Sequence, residues 1–261
     1  MREAEAGGSR RRALITGSTG GLGLAVAQAL AATGCALHLH GLATGEEAEP
    51  VRAELAARHG VAVAYHRADL GDPAAIAALM AAVGPVDILV NNAATRHFGP
   101  IEKMPTADWD ADIAVNLSAA FHTIRLALPA MQAAGFGRIV NMSSIYGLVG
   151  AVDRVGYVVT KTALIGLTRA VALETARQGI TCNALCPGTS LTPGIETRIE
   201  AAMQRGELRE AATAAVLHGK QPTGRFIGLD AVAGLAAWLC SEAAGDLTGA
   251  ALPVDGGWSA A

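Results

Sequence analysis

The sequence predicts an α/β fold: a single doubly wound domain, a seven-stranded parallel sheet with helices on both faces, and a helical substrate lid. Three features carry this. Short apolar runs alternate with alanine- and leucine-rich segments of helical period, glycines follow most of those segments, and a glycine-rich turn joins the first run to the first helix. Such alternation requires crossovers, and crossovers make neighbouring strands parallel and covered on both faces.

In order, the runs at 13–16, 36–40, 61–65, 87–90, 138–142, 181–186 and 250–254 read as strands, each a short apolar stretch. Between them 21–33, 46–59, 73–82, 107–134, 155–178 and 228–240 carry helical periodicity. Gly34, Gly60, Gly84, Gly135 and Gly179 stand where helices should stop, because glycine takes positive φ without strain. Asp72 reads as the N-cap of a helix opening at Pro73. Residues 1–12 are polar and read as a flexible terminus, leaving 13–261 as the domain. The segment 187–226 breaks the rhythm with extra helical residues after the sixth strand. Ligands bind beyond the carboxyl ends of such strands, so this insertion reads as a lid rather than a structural decoration.

Composition removes several classes of function. Of 261 residues, 51% are hydrophobic and 16% charged, which suits a large core and not a disordered chain. A net charge of −3 gives no pull toward nucleic acid or an anionic membrane. No uninterrupted apolar run reaches the roughly 18 residues of a membrane span. Arg10, Arg11 and Arg12 suggest a twin-arginine signal, but a glycine turn interrupts the apolar run behind them and no small-residue cleavage site follows. Cys35, Cys182, Cys186 and Cys240 form no C-x-x-C pair and have no histidine at metal spacing. They read as reduced, buried thiols of a cytoplasmic protein without a metal site.

The turn T16-G-S-T-G-G-L-G23 lies between the first strand and first helix, where a dinucleotide's phosphates are received. Gly17 permits the tight turn, Gly21 lets backbone approach a pyrophosphate, and Gly23 allows close packing, with Thr19 and Leu22 beside them. Further on, Tyr157 and Lys161 are four residues apart and share a helix face. Ser144 ends the fifth strand thirteen residues before Tyr157. A phenol acts as acid or base near neutrality only if its pKa falls from about 10, which takes about 4 kcal/mol of selective stabilisation. A lysine ammonium one turn away supplies part of it.

The spacing T-G-x-x-x-G-x-G resembles the short-chain dehydrogenase/reductase family, and that family's other marks occur in order along nearly the whole chain. They are Asp69 in ADL, N91-N-A-A94 (Ala94 departing from the usual glycine), Asn116 in VNL, Ser144, Y157-V-V-T-K161, P187-G188 and V254-D-G-G257. The resemblance implies a Rossmann fold and a catalytic set of Asn116, Ser144, Tyr157 and Lys161, with Asn116 holding a water that links Lys161 to solvent. It implies cofactor contacts from Gly17, Thr19, Gly21, Leu22, Gly23, His40, Asp69, Leu70, Asn92, Ala93, Tyr157, Lys161, Pro187 and Gly188. The second strand ends H38-L-H40-G-L-A-T44, with no acidic residue for the ribose hydroxyls and no basic one for a 2′-phosphate. With no lysine or arginine in the turn either, NAD is favoured over NADP.

Within the family the chain resembles the branch that interconverts a small 3-hydroxy acid and its 3-keto acid with NAD, typically as a homotetramer. Helices 107–134 and 155–178 are candidates for a four-helix interface. The branch's substrate positions are where this chain departs. Arg96 stands for a glutamine, Tyr146 for a histidine, Arg154 for a lysine, Thr189 for a tryptophan and Arg198 for a lid glutamine. Three arginines offer carboxylate a bidentate fork, and the lost tryptophan enlarges the site, so the expected substrate is a 3-hydroxy acid like 3-hydroxybutyrate or a larger anionic hydroxy acid. The alternatives are solvated arginines, an NADPH-dependent reductase of an uncharged ketone or 3-ketoacyl group, and a nucleotide-sensing protein without catalysis.

Overall fold

The computed structural model describes residues 10–260. Seven parallel strands, β1 (Arg12–Ile15), β2 (Ala36–Gly41), β3 (Val63–Arg67), β4 (Ile88–Asn91), β5 (Gly137–Met142), β6 (Ile180–Pro187) and β7 (Ala251–Val254), lie in the order β3-β2-β1-β4-β5-β6-β7. The expected Rossmann-type sheet is present. The chain winds outward from β1 to β3, then returns to place β4 beside β1. That reversal leaves a crevice at the strands' carboxyl ends.

Helices cover both faces because the central strands are apolar on both. Ala13 and Ile15 pack with α1 (Gly21–Ala32), α2 (Gly45–His59) and α9 (Leu229–Leu239), while Leu14 faces the layer of α3 (Pro73–Val83), α5 (Ala119–Ala134) and α6 (Val155–Thr175). The stretches Thr106–Ala134 and Val155–Thr175 match a membrane span in length and apolarity. Here they lay one face on the sheet and give it Ile124, Ala127, Val171 and Ala172 as core.

Local signals act as expected at the helix ends. Asp72 Oδ1 accepts from Ala74 N at 2.8 Å, and Gly34, Gly60, Gly84, Gly135 and Gly179 all have positive φ. Most boundaries shift by a residue or two, α6 ends at Thr175 and not at 178, and three differences have a clear cause. β1 begins at Arg12, and Arg11 reaches Asp87 at 3.6 Å and Glu242 at 3.3 Å, so the ordered domain opens before residue 13; residues 1–9 of the expected flexible terminus lie outside the described residues. β3 starts at Val63 and not at 61, because Gly60 ends α2 in a left-handed turn and the register sets Leu37 opposite Val63. The single helix expected at 107–134 is α4 (Thr106–Ile113), a π-helical turn (Ala114–Ser118) and α5. That turn carries Asn116. The insertion after β6 forms two helices, α7 (Pro193–Gln204) and α8 (Arg209–Leu217), closed on each other through Ile199, Ala202 and Ala212.

Candidate active site

A cleft of about 1040 Å³ runs along the carboxyl ends of the strands, and every residue singled out above for cofactor or substrate lines it; of the four catalytic candidates only Asn116 lies behind its wall. At one end is the glycine turn. Gly17 and Gly21 have φ of +63° and +54°, a conformation glycine adopts freely. The turn is held from below: Asn92 Nδ2 donates to the Thr16 and Gly17 carbonyls at 3.0 and 2.9 Å, and Thr16 Oγ1 accepts from Asn92 N and Ala93 N at 2.9 and 3.0 Å. A Cβ on Gly17 would stand 2.9 Å from Ala93 Cα. Gly20, the N-cap of α1, offers no side-chain acceptor, so the first amides of the helix face the cleft free for an anion. A glycine cradle that a Cβ would fill, with amides unclaimed, fits a dinucleotide pyrophosphate.

The next wall is His40, Gly41, Leu42, Ala43, Asp69 and Leu70. His40 has a different task from the one expected. It is 2% exposed, its Nδ1 accepts from Gly17 N at 3.2 Å, and its Nε2 meets Ala68 O at 3.0 Å. The accepting Nδ1 is bare, so the proton sits on Nε2 and the ring is neutral. Neither nitrogen is left for a ribose; His40 instead ties β2 to the phosphate turn and to the loop after β3. Burial pulls its pKa below the ordinary histidine value, the Ala68 bond opposes this, and nearby His66 adds to the lowering. His38 and His66, joined ring to ring at 3.0 Å, are also lowered by burial. A base whose folded pKa is depressed contributes stability above its unfolded pKa, near 6.5, and loses it as pH falls from there toward the folded value. Melting temperature measured from pH 8 to 5 should therefore drop below about pH 6.5, and less steeply in His40→Asn. An equal slope in both proteins would contradict this role.

At the other end, β5 delivers Ser144 and α6 delivers Tyr157 and Lys161. Lys161 is 2% exposed and donates to Met142 O at 2.7 Å; Ser143 Oγ donates to Lys161 O at 2.7 Å, turned onto the helix backbone. Burial lowers the Lys161 pKa, while the Tyr157 phenol raises it. Burial alone would push Tyr157 up, yet its pKa lies below the ordinary phenol value. The Lys161 ammonium, the Arg96 guanidinium, and hydrogen bonds from Arg96 and Ser144 outweigh the burial. Arg96 Nη2 donates to Tyr157 Oη at 3.5 Å, and its Cζ lies 5.2 Å from the ring centre. Asn116 is buried behind them, accepting from Thr95 N at 2.7 Å and donating to Thr95 O at 3.0 Å and Thr160 Oγ1 at 3.3 Å. It thereby fixes the strand-end loop that presents Arg96. A π-helical turn at such a residue is a common mark of function.

Tyr146 stands edge-on to Tyr157 at 6.4 Å and to Trp258 at 5.4 Å. Arg154 stacks above Phe98 at 4.3 Å and Tyr146 at 5.4 Å. From the lid side come Thr189, Arg198 and Lys220. Pro187 and Gly188 end β6; a Cβ on Gly188 would meet Asp255 Cα at 3.0 Å. Among the described residues no group of histidine, cysteine and carboxylate side chains is placed to hold a metal ion, and the four cysteines are buried and free.

Residues 17–259 match the family model described as enoyl-(acyl carrier protein) reductase. The chain is 44% identical to the D-beta-hydroxybutyrate dehydrogenase of Cupriavidus necator over 96% of its own length and 98% of the relative's. It is 44% identical to the enzyme of the same name from Rhizobium meliloti, over 96% and 99%. The protein belongs to the short-chain dehydrogenase/reductase family. L-sorbose reductase from Gluconobacter frateurii, solved with NADPH and L-sorbose, superposes on this short-chain dehydrogenase/reductase with a TM-score of 0.91 at 31% identity, covering 97% of this chain and 98% of that one. As a member it is an oxidoreductase using a nicotinamide cofactor, NAD(P).

Several residues in or behind the cleft of this short-chain dehydrogenase/reductase escape the sequence reading. Gln221 is buried, and brackets Thr189 by accepting from its N–H and donating to its C=O, both at 3.0 Å. Lys220 enters the cleft beside it, Phe98 lies under Arg154 in the cleft, and Trp258 backs Tyr146 from behind it. The run KQP held a signal for the first two, since a glutamine between lysine and proline in a loop invites the question of what it bonds. No local pattern marks Phe98 or Trp258.

Proposed function

We propose that the protein is an NAD-dependent dehydrogenase of 3-hydroxy acids, moving a hydride between the alcohol carbon and nicotinamide, with Tyr157 as acid–base and the acid's carboxylate on Arg96 and Arg154. The observation that carries this reading is the Arg96 guanidinium 3.5 Å from the Tyr157 hydroxyl, one cation serving both the phenol and an anion beside it. The similarity to two D-beta-hydroxybutyrate dehydrogenases supports the substrate class.

A bound nicotinamide would supply the hydride acceptor for oxidation of the alcohol to a ketone. Tyr157, as phenolate, takes the hydroxyl proton; Ser144 Oγ holds the same oxygen. Lys161 keeps the phenolate charged and holds the nicotinamide ribose. Asn116 positions Thr95 and the loop bearing Arg96, with a water passing the proton outward. Gly17, Thr19, Gly21, Leu22 and Gly23 receive the pyrophosphate, Asp69 and Leu70 the adenine, and Asn92, Ala93, Pro187 and Gly188 flank the nicotinamide half. Tyr146 and Thr189 shape the substrate end beneath the 187–226 lid. NAD is favoured because no lysine or arginine lines the Gly41–Leu42–Ala43 wall. One observation favours a second reading with NADPH: Gly41, Leu42 and Ala43, which follow His40 there, include no carboxylate to repel a 2′-phosphate either. Assembly as a homotetramer is supported by Phe121, Val159 and Leu173, exposed apolar side chains on α5 and α6. Four free cysteines suit a reducing, cytoplasmic setting.

The test follows NAD reduction with 3-hydroxybutyrate, larger hydroxy acids and uncharged alcohols, using Tyr157→Phe as the blank and titrating both cofactors by fluorescence. Hydroxy acids should be oxidised with NAD, and Arg154→Ala should raise their KM roughly tenfold to a hundredfold without affecting neutral alcohols. Turnover confined to NADPH and uncharged ketones would overturn the reading.

A further inference from the structure

The substrate end holds more positive charge than one carboxylate balances. Arg96, Arg154, Arg198 and Lys220 all line it, in addition to Lys161 beneath Tyr157. None of these five takes part in a salt bridge among the described residues. Among the described residues the single carboxylate lining the cleft is Asp69, which lies after β3 at the far end and accepts from Gly71 N at 2.8 Å. With oxidised nicotinamide in place, another positive charge joins the same end.

The cations fall into two seats. Arg96 lies on Tyr157, and Arg154 one aromatic ring further out, on Tyr146. Arg198, on α7, and Lys220, after α8, come from the lid. Lys220 is half-buried and anchored by one hydrogen bond to Val216 O at 2.6 Å, which leaves its other protons free. Its pKa is lowered by burial first, then by Arg154 and Arg198, so these three cations press on one another across the gap. Like charges crowd at a cost unless an anion lies among them, and a partly enclosed site makes that cost larger. The carboxylate already assigned to Arg96 and Arg154 leaves the lid pair unmatched.

Resting on the proposed reading of this site, we infer that the substrate is dianionic: a hydroxy acid with a second anionic group, received by Arg198 and Lys220 of the lid. A hydroxydicarboxylate meets this requirement, one carboxylate beside Arg96 and the other under the lid. The second anion also gives α7 and α8 a reason to close, since neither cation has an anionic partner among the described residues until it arrives.

The test compares each dianion with its own half-charged twin. The kcat/KM at saturating NAD is measured for 2-hydroxysuccinate, 3-hydroxyglutarate and 3-hydroxyadipate, each beside its monomethyl esters, and for 3-hydroxybutyrate. At least one diacid should exceed its half-ester by roughly 30-fold or more, and this ratio should collapse in Arg198→Gln/Lys220→Gln. The ratio is read within each enzyme, so a general loss of activity in the variant does not obscure it. If 3-hydroxybutyrate and the half-esters are oxidised as well as every diacid, or the ratio survives in the double variant, the second seat is wrong while the hydroxy-acid reading stands. If no hydroxy acid is oxidised and NADPH reduces uncharged ketones instead, both fall together.

Discussion

Tyr157→Phe is expected to lower kcat for alcohol oxidation about 10³-fold, the scale of losing a positioned acid–base group. The fold should persist, because phenylalanine fills the same buried volume and only the hydroxyl is lost. The physical basis is the balance at that phenol: burial opposes the phenolate, and Lys161, Arg96 and Ser144 together favour it more strongly. Oxidation needs the phenolate, so wild-type kcat should climb with pH through the depressed tyrosine pKa and level off above it. Arg96→Gln removes one of the two cations and should move that climb to higher pH, with the deficit at neutral pH recovered in alkali. A substrate-binding role alone would raise KM and leave the midpoint of kcat where it was. An unmoved midpoint would leave Arg96 a substrate-binding role alone, and a Tyr157→Phe enzyme retaining a tenth of its activity would remove the phenol from the mechanism.

Gly23→Ala should weaken cofactor binding by roughly tenfold to a hundredfold, the range expected when a methyl is forced into a filled site. An added Cβ would stand 2.6 Å from Asn92 Nδ2 and nearer still to the Gly17 carbonyl oxygen. Asn92 Nδ2 bonds the Thr16 and Gly17 carbonyls, so moving it aside undoes the hold on the phosphate turn. The contact at Gly17 is backbone and cannot rotate away. The control is Gly234→Ala in α9, where nothing lies within 4 Å of the added carbon and helix propensity favours alanine. That variant should bind NAD normally and melt slightly higher. Titration of NAD by fluorescence separates the two, and wild-type affinity in Gly23→Ala would show that the turn adapts.

Some of this was legible in the residues because it is local. Tyr157 and Lys161 are one helical turn apart, so any helix there aligns them; Ser144 needs only to end a strand. Gly17 and Gly21 adopt the positive φ that their turn requires, and Asp72 caps the helix it precedes. Where reading failed, a distant partner decided. His40 ends β2, the position of a ribose ligand, but its ring is taken by Gly17 from one loop and Ala68 from another. Asn116 was assigned from VNL, yet the π-helical turn around it appears only with Thr95 and Thr160 packed against its side chain.

The sequence by itself determined the alternation of strands and helices, the phosphate turn and the spacing of the Tyr157 set, since each depends on backbone geometry over a few neighbouring residues. Only the tertiary structure brought Arg96 onto the phenol and set Arg154 against the lid cations Arg198 and Lys220. Those side chains come from loops and helices spread over more than a hundred residues of chain, and charges attract or repel by distance in space. The order of strands in the sheet, not their order in the chain, fixes that distance.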